Sequence, residues 1–401
     1  WLQTAGVNTL RPEIQIEGDT YKSIAVLQEA PLVPAGSKEL RPHRMAVGLY
    51  DLNNGKLERR KSVELDVSGA STMVEGLSGE KTADLLLLND HDLTYAKVRF
   101  DKKSIETLKN HLGDITDSLT RALCWSIAWD MHRDGELSAT DYSTIVLNAL
   151  GKENNASVIE AQLLQLETAV EIYSAPKNRD HLRRTRSAGL YKLMMEATPG
   201  SDMQLALSRG FAKGASIEDA GKVKDVLDGK VNGLVVDTEM RWSLVKSLVE
   251  RGYYGQSEID AELLQDNTAD GARHAAEARA LIPTKENKEV VWNELTTKEL
   301  SNHIQRHMLM GINRPLQQTL WLPYADKYFT TVRKMWENNS YEIGKQFADF
   351  AFPRFAPTYE NLSRAESWLA NNKDATDGLK RAIAEGRDAL ARALKAQKAD
   401  D

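Results

Sequence analysis

The spacing of apolar residues changes once along this chain, near residues 101–116, and no other feature constrains its fold as strongly. Before this point apolar and polar residues alternate in short runs, for example in residues 43–51 and 56–66. Alternation with a period of two is typical of half-buried strands. After this point apolar residues recur every three or four positions, as in amphipathic helices. The sequence therefore predicts a mainly α protein that begins with a β domain.

The alternating region predicts a small antiparallel β-sandwich over residues 13–101. Its short runs occupy residues 13–18, 22–29, 43–51, 56–66, 71–77, 84–89 and 93–100. Asn54 and Gly55 separate two of these runs, and such a pair favours a two-residue hairpin because both turn positions need positive φ. No helical pattern interrupts the runs, which is typical of a sandwich of short strands.

The rest of the chain, residues 102–401, predicts a large helical domain. We expect about fourteen to sixteen helices between residues 115 and 396, because glycines and capping patterns recur at helical spacing. Residues 138–141 and 296–299 carry capping-box patterns that predict helix starts. Short links between many amphipathic helices favour stacked antiparallel pairs. We therefore expect a HEAT-like α-α superhelix, a solenoid or bowl, without a strict sequence repeat.

Charge and cysteine content exclude several classes of function. The 401 residues carry a formal net charge of -6, so no basic field is available to hold a nucleic-acid backbone. Cys124 is the only cysteine, which excludes an internal disulfide and a cysteine-based zinc site. A single thiol fits a reducing compartment, and we expect a cytoplasmic protein. The longest apolar runs, such as residues 85–88, are far too short to span a bilayer.

The sequence carries no recognisable catalytic motif for metal, phosphate or acyl-transfer chemistry. One histidine pair allows two interpretations. His303 and His307 are four residues apart on a predicted helix and could share a metal ion. A zinc peptidase needs a glutamate directly after the first histidine, however, and Ile304 stands there. The alternative is a polar helix face without metal.

A second candidate is the basic segment that contains Arg183, Arg184 and Arg186. Three guanidinium groups at this spacing could bind a carboxylate or a phosphate. The alternative is a solvated helix face on which these arginines pair with Asp180, Glu171 or Glu196.

Trp125 and Trp129 lie four residues apart, so both indoles should share one face of a helix. A separate stripe of the same helix contains Leu119, Leu123, Ile127 and Met131. A helix with two apolar sectors is buried on more than one side. Because consecutive elements are usually neighbours, we expect at least one indole at the interface between the sandwich and the helical domain. The alternative is a platform for a ligand.

Several segments, in this order, resemble the bacterial aminopeptidase N family of zinc aminopeptidases. These segments are WLQTAGVNTLRPE (1–13), LLLLNDHDLTYAKVRFD (85–101), LTRALCWSIAWDMHRDGELSATDY (119–142), PYADKYF (323–329) and ESWLANN (366–372), followed by the final helix. The resemblance covers the whole chain and matches the C-terminal half of that family. It implies a four-part protein, of which this chain contains the small β-sandwich (13–101) and the helical C-terminal domain (102–401).

The resemblance also implies what lies outside this chain. The catalytic domain, with its His-Glu-X-X-His zinc motif and a Gly-X-Met-Glu-Asn strand, would precede Trp1, and residues 1–12 would be its end. Neither motif occurs here. We therefore expect no catalytic residue, no metal ligand and no cofactor in this chain, with zinc held by the catalytic domain. The chain alone should be inactive.

The function implied by the resemblance is that of a non-catalytic part of an aminopeptidase. It would close the active-site chamber and help to admit and position peptides. Its partners would be its own N-terminal and catalytic domains and peptide substrates, with no nucleic acid and no membrane. Candidate peptide-binding residues lie in a segment similar to the family's late helix pair. They are Arg314, Gln317, Tyr324 and Tyr328.

The alternative function is a free-standing helical-repeat scaffold that binds a protein partner on its concave face. A free-standing protein should begin with Met. The chain begins with Trp1, which favours the first hypothesis.

Overall fold

The structure, a computed structural model, describes residues 4–32 and 36–401. Its strands precede all of its helices, as the change of period predicts. They span Thr9–Glu17 (β1), Thr20–Glu29 (β2), His43–Asn53 (β3), Lys56–Val67 (β4), Ser71–Met73 (β5), Leu85–Asp90 (β6) and Lys97–Val98 (β7). The first strand thus begins before the predicted start of the sandwich at residue 13. The prediction for Trp1 and the two residues after it lies outside the described residues.

The strands form two small sheets. One has the order β5-β2-β1-β7 and the other has the order β4-β3-β6. Neighbouring strands are antiparallel except β1 and β7, which pair in parallel over two residues. Asn54 and Gly55 connect β3 and β4 with φ values of 50° and 75°, so the predicted hairpin turn is confirmed.

Helices account for the chain from Lys102 onward, and the described residues there contain no strand. They span Lys102–His111 (α1), Ser118–Arg133 (α2), Ala139–Ala149 (α3), Ala156–Thr168 (α4), Pro176–Glu196 (α5), Asp202–Gly214 (α6), Ala220–Leu227 (α7), Thr238–Glu250 (α8), Gln256–Gln265 (α9), Ala269–Leu281 (α10), Lys285–Thr297 (α11), Asn302–Ile312 (α12), Gln318–Trp321 (α13), Tyr324–Asn338 (α14), Tyr341–Phe350 (α15), Tyr359–Asn371 (α16) and Asp377–Ala399 (α17). The predicted fold class, mainly α with a small β part first, is confirmed.

Short 3-10 and π-helical turns complete the helical region. They span Leu112–Asp114, Leu150–Lys152, Ala169–Tyr173 and Pro315–Gln317. One predicted helix start is wrong. Residues 296–299 end α11 and do not begin a helix, because the Thr296 hydroxyl donates to the Trp292 carbonyl within that helix. The next helix begins after Ser301, whose side chain accepts from the Ile304 amide.

The chain divides into two compact units. The first contains the described residues up to Leu137 together with Asp141–Val158. The second contains Ser138–Thr140 and Ile159–Asp401. The change from strand to helix at residues 101–102 therefore lies inside the first unit, which includes α1 and α2 as well as the sheets.

Polar contacts bind α2 to the sheets inside the first unit. The buried Arg99 side chain donates from Nη2 to Asp134 at 2.5 Å and from Nε to Glu136 at 2.8 Å. The Tyr50 hydroxyl lies 3.0 Å from the Thr120 hydroxyl at the start of α2. Because a buried guanidinium needs a carboxylate partner, Arg99 holds the end of α2 against the last strand.

The second unit has an aromatic core. Trp321 and Tyr324 stack with ring centroids 5.1 Å apart, and Trp292 contacts both of these rings. Tyr328 stacks on Phe347 at 6.0 Å. Large rings of this kind bury much apolar area and prefer offset or tilted contacts, so they fix the packing of α11 to α15.

Helices α10 and α12 approach each other closely at Gly311. A Cβ atom at this position would lie 2.3 Å from the Glu277 carbonyl oxygen and 2.8 Å from the Ala280 Cβ. No side chain fits at such distances without moving the backbone of α10. The approach brings side chains of these two helices within polar contact of each other.

Replacing Gly311 by Ala should therefore lower the free energy of unfolding by about 1–3 kcal/mol, because the new methyl group overpacks the helix contact. Urea unfolding monitored by circular dichroism measures this loss. Gly221→Ala in α7 is the matched control, since nothing lies within 4 Å of the added atom. This control should stabilise the helix by about 0.5–1 kcal/mol. An unfolding midpoint of Gly311→Ala equal to that of the parent chain would contradict the close approach.

Candidate functional site

A cavity of about 470 Å³ lies between α4, α5, α6 and α8 of the second unit. Five apolar side chains and seven charged side chains line it. The apolar ones are Leu163, Leu164, Leu190, Ala206 and Met240. The charged ones are Glu160, Glu167, Arg186, Arg209, Lys213, Glu239 and Lys246. A few polar groups on an apolar wall are typical of a site that binds a small ligand or part of a peptide.

Arg186 is the most buried of these charged residues, with 3% of its surface exposed. Its Nη2 donates to Glu171 Oε1 at 2.7 Å, and its Nε donates to the Gly214 carbonyl at 3.0 Å. Its Nη1 is buried and has no hydrogen-bond partner within the described part of the chain. An unpaired buried N–H costs free energy, and a carboxylate is the partner that a guanidinium binds best.

Glu171 holds two arginines of α5. Arg183 Nη2 donates to Glu171 Oε2 at 2.6 Å, on the opposite side of the carboxylate from Arg186. Burial would raise the pKa of Glu171, but the charges of Arg186 and Arg183 outweigh it and lower this pKa to about 2. Two members of the predicted basic cluster thus pair with a carboxylate, whereas Arg184 is exposed. The second interpretation of the cluster, pairing with a nearby carboxylate, holds for Arg183 and Arg186.

Glu250, at the end of α8, is a second buried carboxylate. Arg314 donates from Nε to Oε1 at 3.1 Å and from Nη2 to Oε2 at 3.2 Å. Burial would raise the pKa of Glu250, but the charges of Arg314 and Arg251 lower it. Burial in turn lowers the pKa of Arg251 to about 10. Arg314 is therefore an internal ion-pair partner that joins the segment after α12 to α8.

Glu277 of α10 is a third buried carboxylate, and its partners come from two other helices. Lys246 Nζ of α8 donates to Oε2 at 3.0 Å, and His307 Nδ1 of α12 lies 3.1 Å from the same oxygen. Burial would raise the pKa of Glu277, but the hydrogen bonds from His307 and Lys246 lower it to about 2. His303 is exposed, so His307 contacts α10 rather than sharing a site with His303.

The predicted peptide-binding residues have partners inside the second unit. Gln317 Nε2 donates to the carbonyls of Glu250 and Leu281, at 3.1 and 2.6 Å. The Tyr328 hydroxyl donates to the Ala348 carbonyl, and its side chain is fully buried. Together with Arg314, these side chains stabilise the packing of helices.

Tyr324 is buried, with 6% of its surface exposed, whereas Arg314 is the most accessible of the four candidates. The Tyr324 hydroxyl donates to Glu289 at 2.9 Å, beside Lys327. A second cavity of about 480 Å³ next to α14 is lined in part by Tyr324, Glu289 and Lys327. None of the four candidates lines the cavity between α4 and α8. Contact between these four residues and a peptide stays a prediction.

The tryptophan pair lies in the first unit. Trp125 is buried, and its Nε1 donates to Glu153 at 3.3 Å. Trp129 packs against Tyr142 of α3 with ring centroids 5.4 Å apart, and also against His132. These partners come from the helices that follow the sandwich in sequence. A place for either ring at a domain interface stays a prediction.

The first unit corrects one detail of the α2 pattern. Leu119, which the helical stripe predicts to be buried, is 45% exposed. It belongs to the first turn of α2, where Asp117 caps the helix through the Thr120 amide. The apolar stripe therefore begins one turn later than predicted.

The cavity between α4 and α8 was not predicted from the sequence. Its cations Arg186, Arg209, Lys213 and Lys246 come from three different helices and are up to 60 positions apart, counting from residue 186 to residue 246. Only the first of them belongs to a local cluster. No spacing along one helix could have grouped them.

Small sheets followed by many helices define the class of this protein, which is mainly α with a β part first. Residues 85–392 match the ERAP1-like C-terminal domain family, and the chain belongs to this family. The chain is 42% identical over 409 residues to an aminopeptidase N from Streptomyces lividans. The aligned region covers 100% of this chain and 48% of that protein. This match confirms the resemblance seen in the sequence.

A solved structure supports the fold independently. The structure of Legionella pneumophila aminopeptidase A, in complex with aspartic acid, is similar to this chain with a TM-score of 0.55. The matched region covers 96% of this chain and 49% of the aminopeptidase A chain. Its sequence identity of 14% means that this likeness concerns the fold alone. The chain thus spans about half the length of the relatives that it matches. Within the described residues, no helix is both long enough and apolar enough to cross a membrane.

The buried ion pairs of Glu171 with Arg183 and Arg186 predict a stability that depends on pH. Glu171→Gln should lower the free energy of unfolding at pH 7 by about 3–5 kcal/mol, because it leaves the buried Arg186 without a carboxylate and Arg183 with only the exposed Asp180. The folded pKa of Glu171, about 2, lies below its ordinary value of 4.5. The stabilisation is therefore full above about pH 4.5 and is lost as the pH falls towards 2. Urea unfolding of the parent chain and of Glu171→Gln between pH 7 and pH 3 measures how the difference between their unfolding free energies decreases.

Glu196→Gln at the end of α5, the helix that carries Arg183 and Arg186, is the matched control, since that side chain is 61% exposed and lies 3.9 Å from Lys192. An exposed pair contributes little, so this control should unfold like the parent chain at every pH. A difference between Glu171→Gln and the parent chain that is independent of pH would contradict the assigned ion pair.

Proposed function

We propose that this chain is the non-catalytic C-terminal part of a zinc aminopeptidase, which removes N-terminal residues from peptides. In this proposal the chain closes the active-site chamber and helps to admit and position the peptide. Membership of the ERAP1-like C-terminal domain family and the likeness to an aminopeptidase N support the enzyme class. They favour it over a free-standing scaffold that binds a protein partner.

The observation that carries the positioning role is the cavity between α4 and α8, with the cations Arg209 and Lys213 on its wall. Leu163, Leu190 and Met240 supply an apolar wall for a peptide side chain. Arg209, which also lines the cavity, can meet a carboxylate of the peptide. Charge-assisted hydrogen bonds of this kind are stronger than neutral ones and set orientation.

The chemistry of bond cleavage belongs to another part of the enzyme in this proposal. A zinc ion bound there would polarise the scissile carbonyl and activate water. The sequence of this chain has no His-Glu-X-X-His motif, so its residues hold the distal part of the peptide and limit the access of water and folded chains. The partners are the N-terminal and catalytic domains and peptide substrates. The single cysteine, Cys124, is buried and fits a cytoplasmic location.

The test uses the longer enzyme that contains this chain. Arg209→Gln combined with Lys213→Gln should lower kcat/KM for a ten-residue peptide about tenfold, because a charged hydrogen bond contributes about 1.5–3 kcal/mol. The same variant should hydrolyse an aminoacyl nitroanilide at the parent rate, since that substrate is too short to reach the cavity. Amidation of the peptide's C-terminus should remove most of the difference if its terminal carboxylate is the group that binds.

Lys177→Gln combined with Lys192→Gln is the matched control. Both lysines lie on α5, are 58% and 72% exposed, and do not line the cavity. This control should hydrolyse the peptide, the amidated peptide and the nitroanilide at the parent rates. Equal losses on the peptide and on the nitroanilide would exclude a role of the cavity in positioning, and so would an unchanged rate on the peptide.

A further inference from the structure

Three potential metal ligands meet between α10 and α12. His274, Glu277 and His307 each offer one ligand atom, and these atoms all lie within 4.8 Å of one another. His274 and Glu277 are three residues apart on α10, so their side chains share one face. His307 reaches them from α12 across the close helix approach at Gly311.

The hydrogen bonds of His274 determine which ring nitrogen is free. Lys246 Nζ lies 3.4 Å from His274 Nδ1, and Glu239 Oε1 lies 3.2 Å from His274 Nε2. An ammonium can only donate and an ionised carboxylate can only accept. Nε2 therefore carries the proton, and the lone pair of Nδ1 points towards the ammonium. A carboxylate behind a histidine in this way orients metal-binding imidazoles.

The ammonium of Lys246 occupies the place of a cation in this cluster. It lies 3.0 Å from Glu277 Oε2 and 3.4 Å from His274 Nδ1. His307 Nδ1 is 3.1 Å from the same carboxylate oxygen, a separation close to that between two ligands of one small metal ion. Trp242 stacks on the His274 ring at 5.6 Å and fixes its plane. The cluster is thus arranged around a positive charge.

We propose that His274, Glu277 and His307 form a binding site for a divalent transition-metal ion, which takes the place of the Lys246 ammonium. Two imidazoles and one carboxylate suit Zn²⁺ or Co²⁺, with water as the fourth ligand. The sequence alone predicts no metal in this chain, and it offers His303 as the partner of His307. The proposal replaces that partner by residues of α10. It does not depend on the proposed peptidase function.

Metal binding at this site has a cost that sets its affinity. The Lys246 side chain must swing away, and it also lines the cavity between α4 and α8, where Glu167 and Glu239 are available. The charge of Arg314 also reaches Glu277 and opposes a second cation. The ion should therefore bind in competition with Lys246 and should stabilise the contact between α10 and α12.

The test titrates the metal-free 401-residue chain with CoCl2 and follows the visible absorption of Co²⁺ and the fluorescence quenching of the chain. We expect one Co²⁺ per chain at micromolar concentrations, a visible band of low-coordinate cobalt, and a higher melting temperature. His274→Ala, Glu277→Gln and His307→Ala should each weaken binding by about 100-fold, and Glu239→Ala by about 10–100-fold. Lys246→Met should strengthen binding, because it removes the competing ammonium.

His303→Ala is the matched control, because His303 lies one turn before His307 on the same helix and is exposed. It should bind Co²⁺ like the parent chain. Equal losses in His303→Ala and His307→Ala would assign the ion to the i, i+4 pair and overturn the proposal, and so would full affinity in Glu277→Gln. Because three ligand variants are tested with thermal melting, the failure of one to fold leaves two that decide the question. Absence of binding to the folded parent chain at millimolar cobalt also overturns the proposal.

Discussion

Burial of carboxylates among the helices is the constraint on which the second unit depends. Glu171, Glu250 and Glu277 are almost fully buried, and a buried charge is tolerated only when it is paired and hydrogen-bonded. Each of them takes partners from other turns or helices, so each pair specifies a helix contact. Removing one partner would leave the other charge unpaired, which is more costly than losing an exposed ion pair. The ion pairs thus select one arrangement of α5, α8, α10 and α12.

Cations outnumber carboxylates in this buried set, and two of the cations, Arg186 and Lys246, line the cavity. The set consists of Glu171, Glu250, Glu277, Arg183, Arg186, Lys246, Arg251 and Arg314. Its members influence one another beyond direct contact, since the charge of Glu277 helps to raise the pKa of Arg314. A local excess of positive charge in a low-dielectric wall attracts anions. Helix packing and the proposed binding of a carboxylate in the cavity would therefore have the same physical origin.

Periodicity predicted the order and type of the elements because it reports local geometry and burial on one face. The hairpin at Asn54 and Gly55 follows from the backbone alone and was predicted correctly. The capping pattern at Thr296 failed because the preceding helix continued through it, and tertiary packing decides how far a helix extends. The prediction that Leu119 is buried was wrong, because residues in the first turn of a helix need not face the core.

The site could not be predicted to the same degree, because it depends on contacts between helices. The sequence indicates His307 as a metal ligand only together with His303, and that spacing describes one helix. The partners that the structure supplies, His274 and Glu277, are 33 and 30 positions away along the sequence. Likewise, Arg314 was predicted to bind peptide, and no local pattern indicates that Glu250, 64 positions away, is its ion-pair partner. Local patterns identify reactive residue types, whereas packing determines their partners.

Lys246 connects the two proposed sites, and this sharing has a thermodynamic consequence. Its ammonium lines the cavity and also binds Glu277, but one ammonium cannot stay with the metal cluster and also bind an anion in the cavity. An anionic group bound in the cavity would draw Lys246 away from Glu277 and leave the three ligands to a metal ion. A metal ion at the cluster would in turn release Lys246 towards the cavity. Linkage requires that the two effects be equal in free energy, so peptide and metal would favour each other's binding through a single side chain.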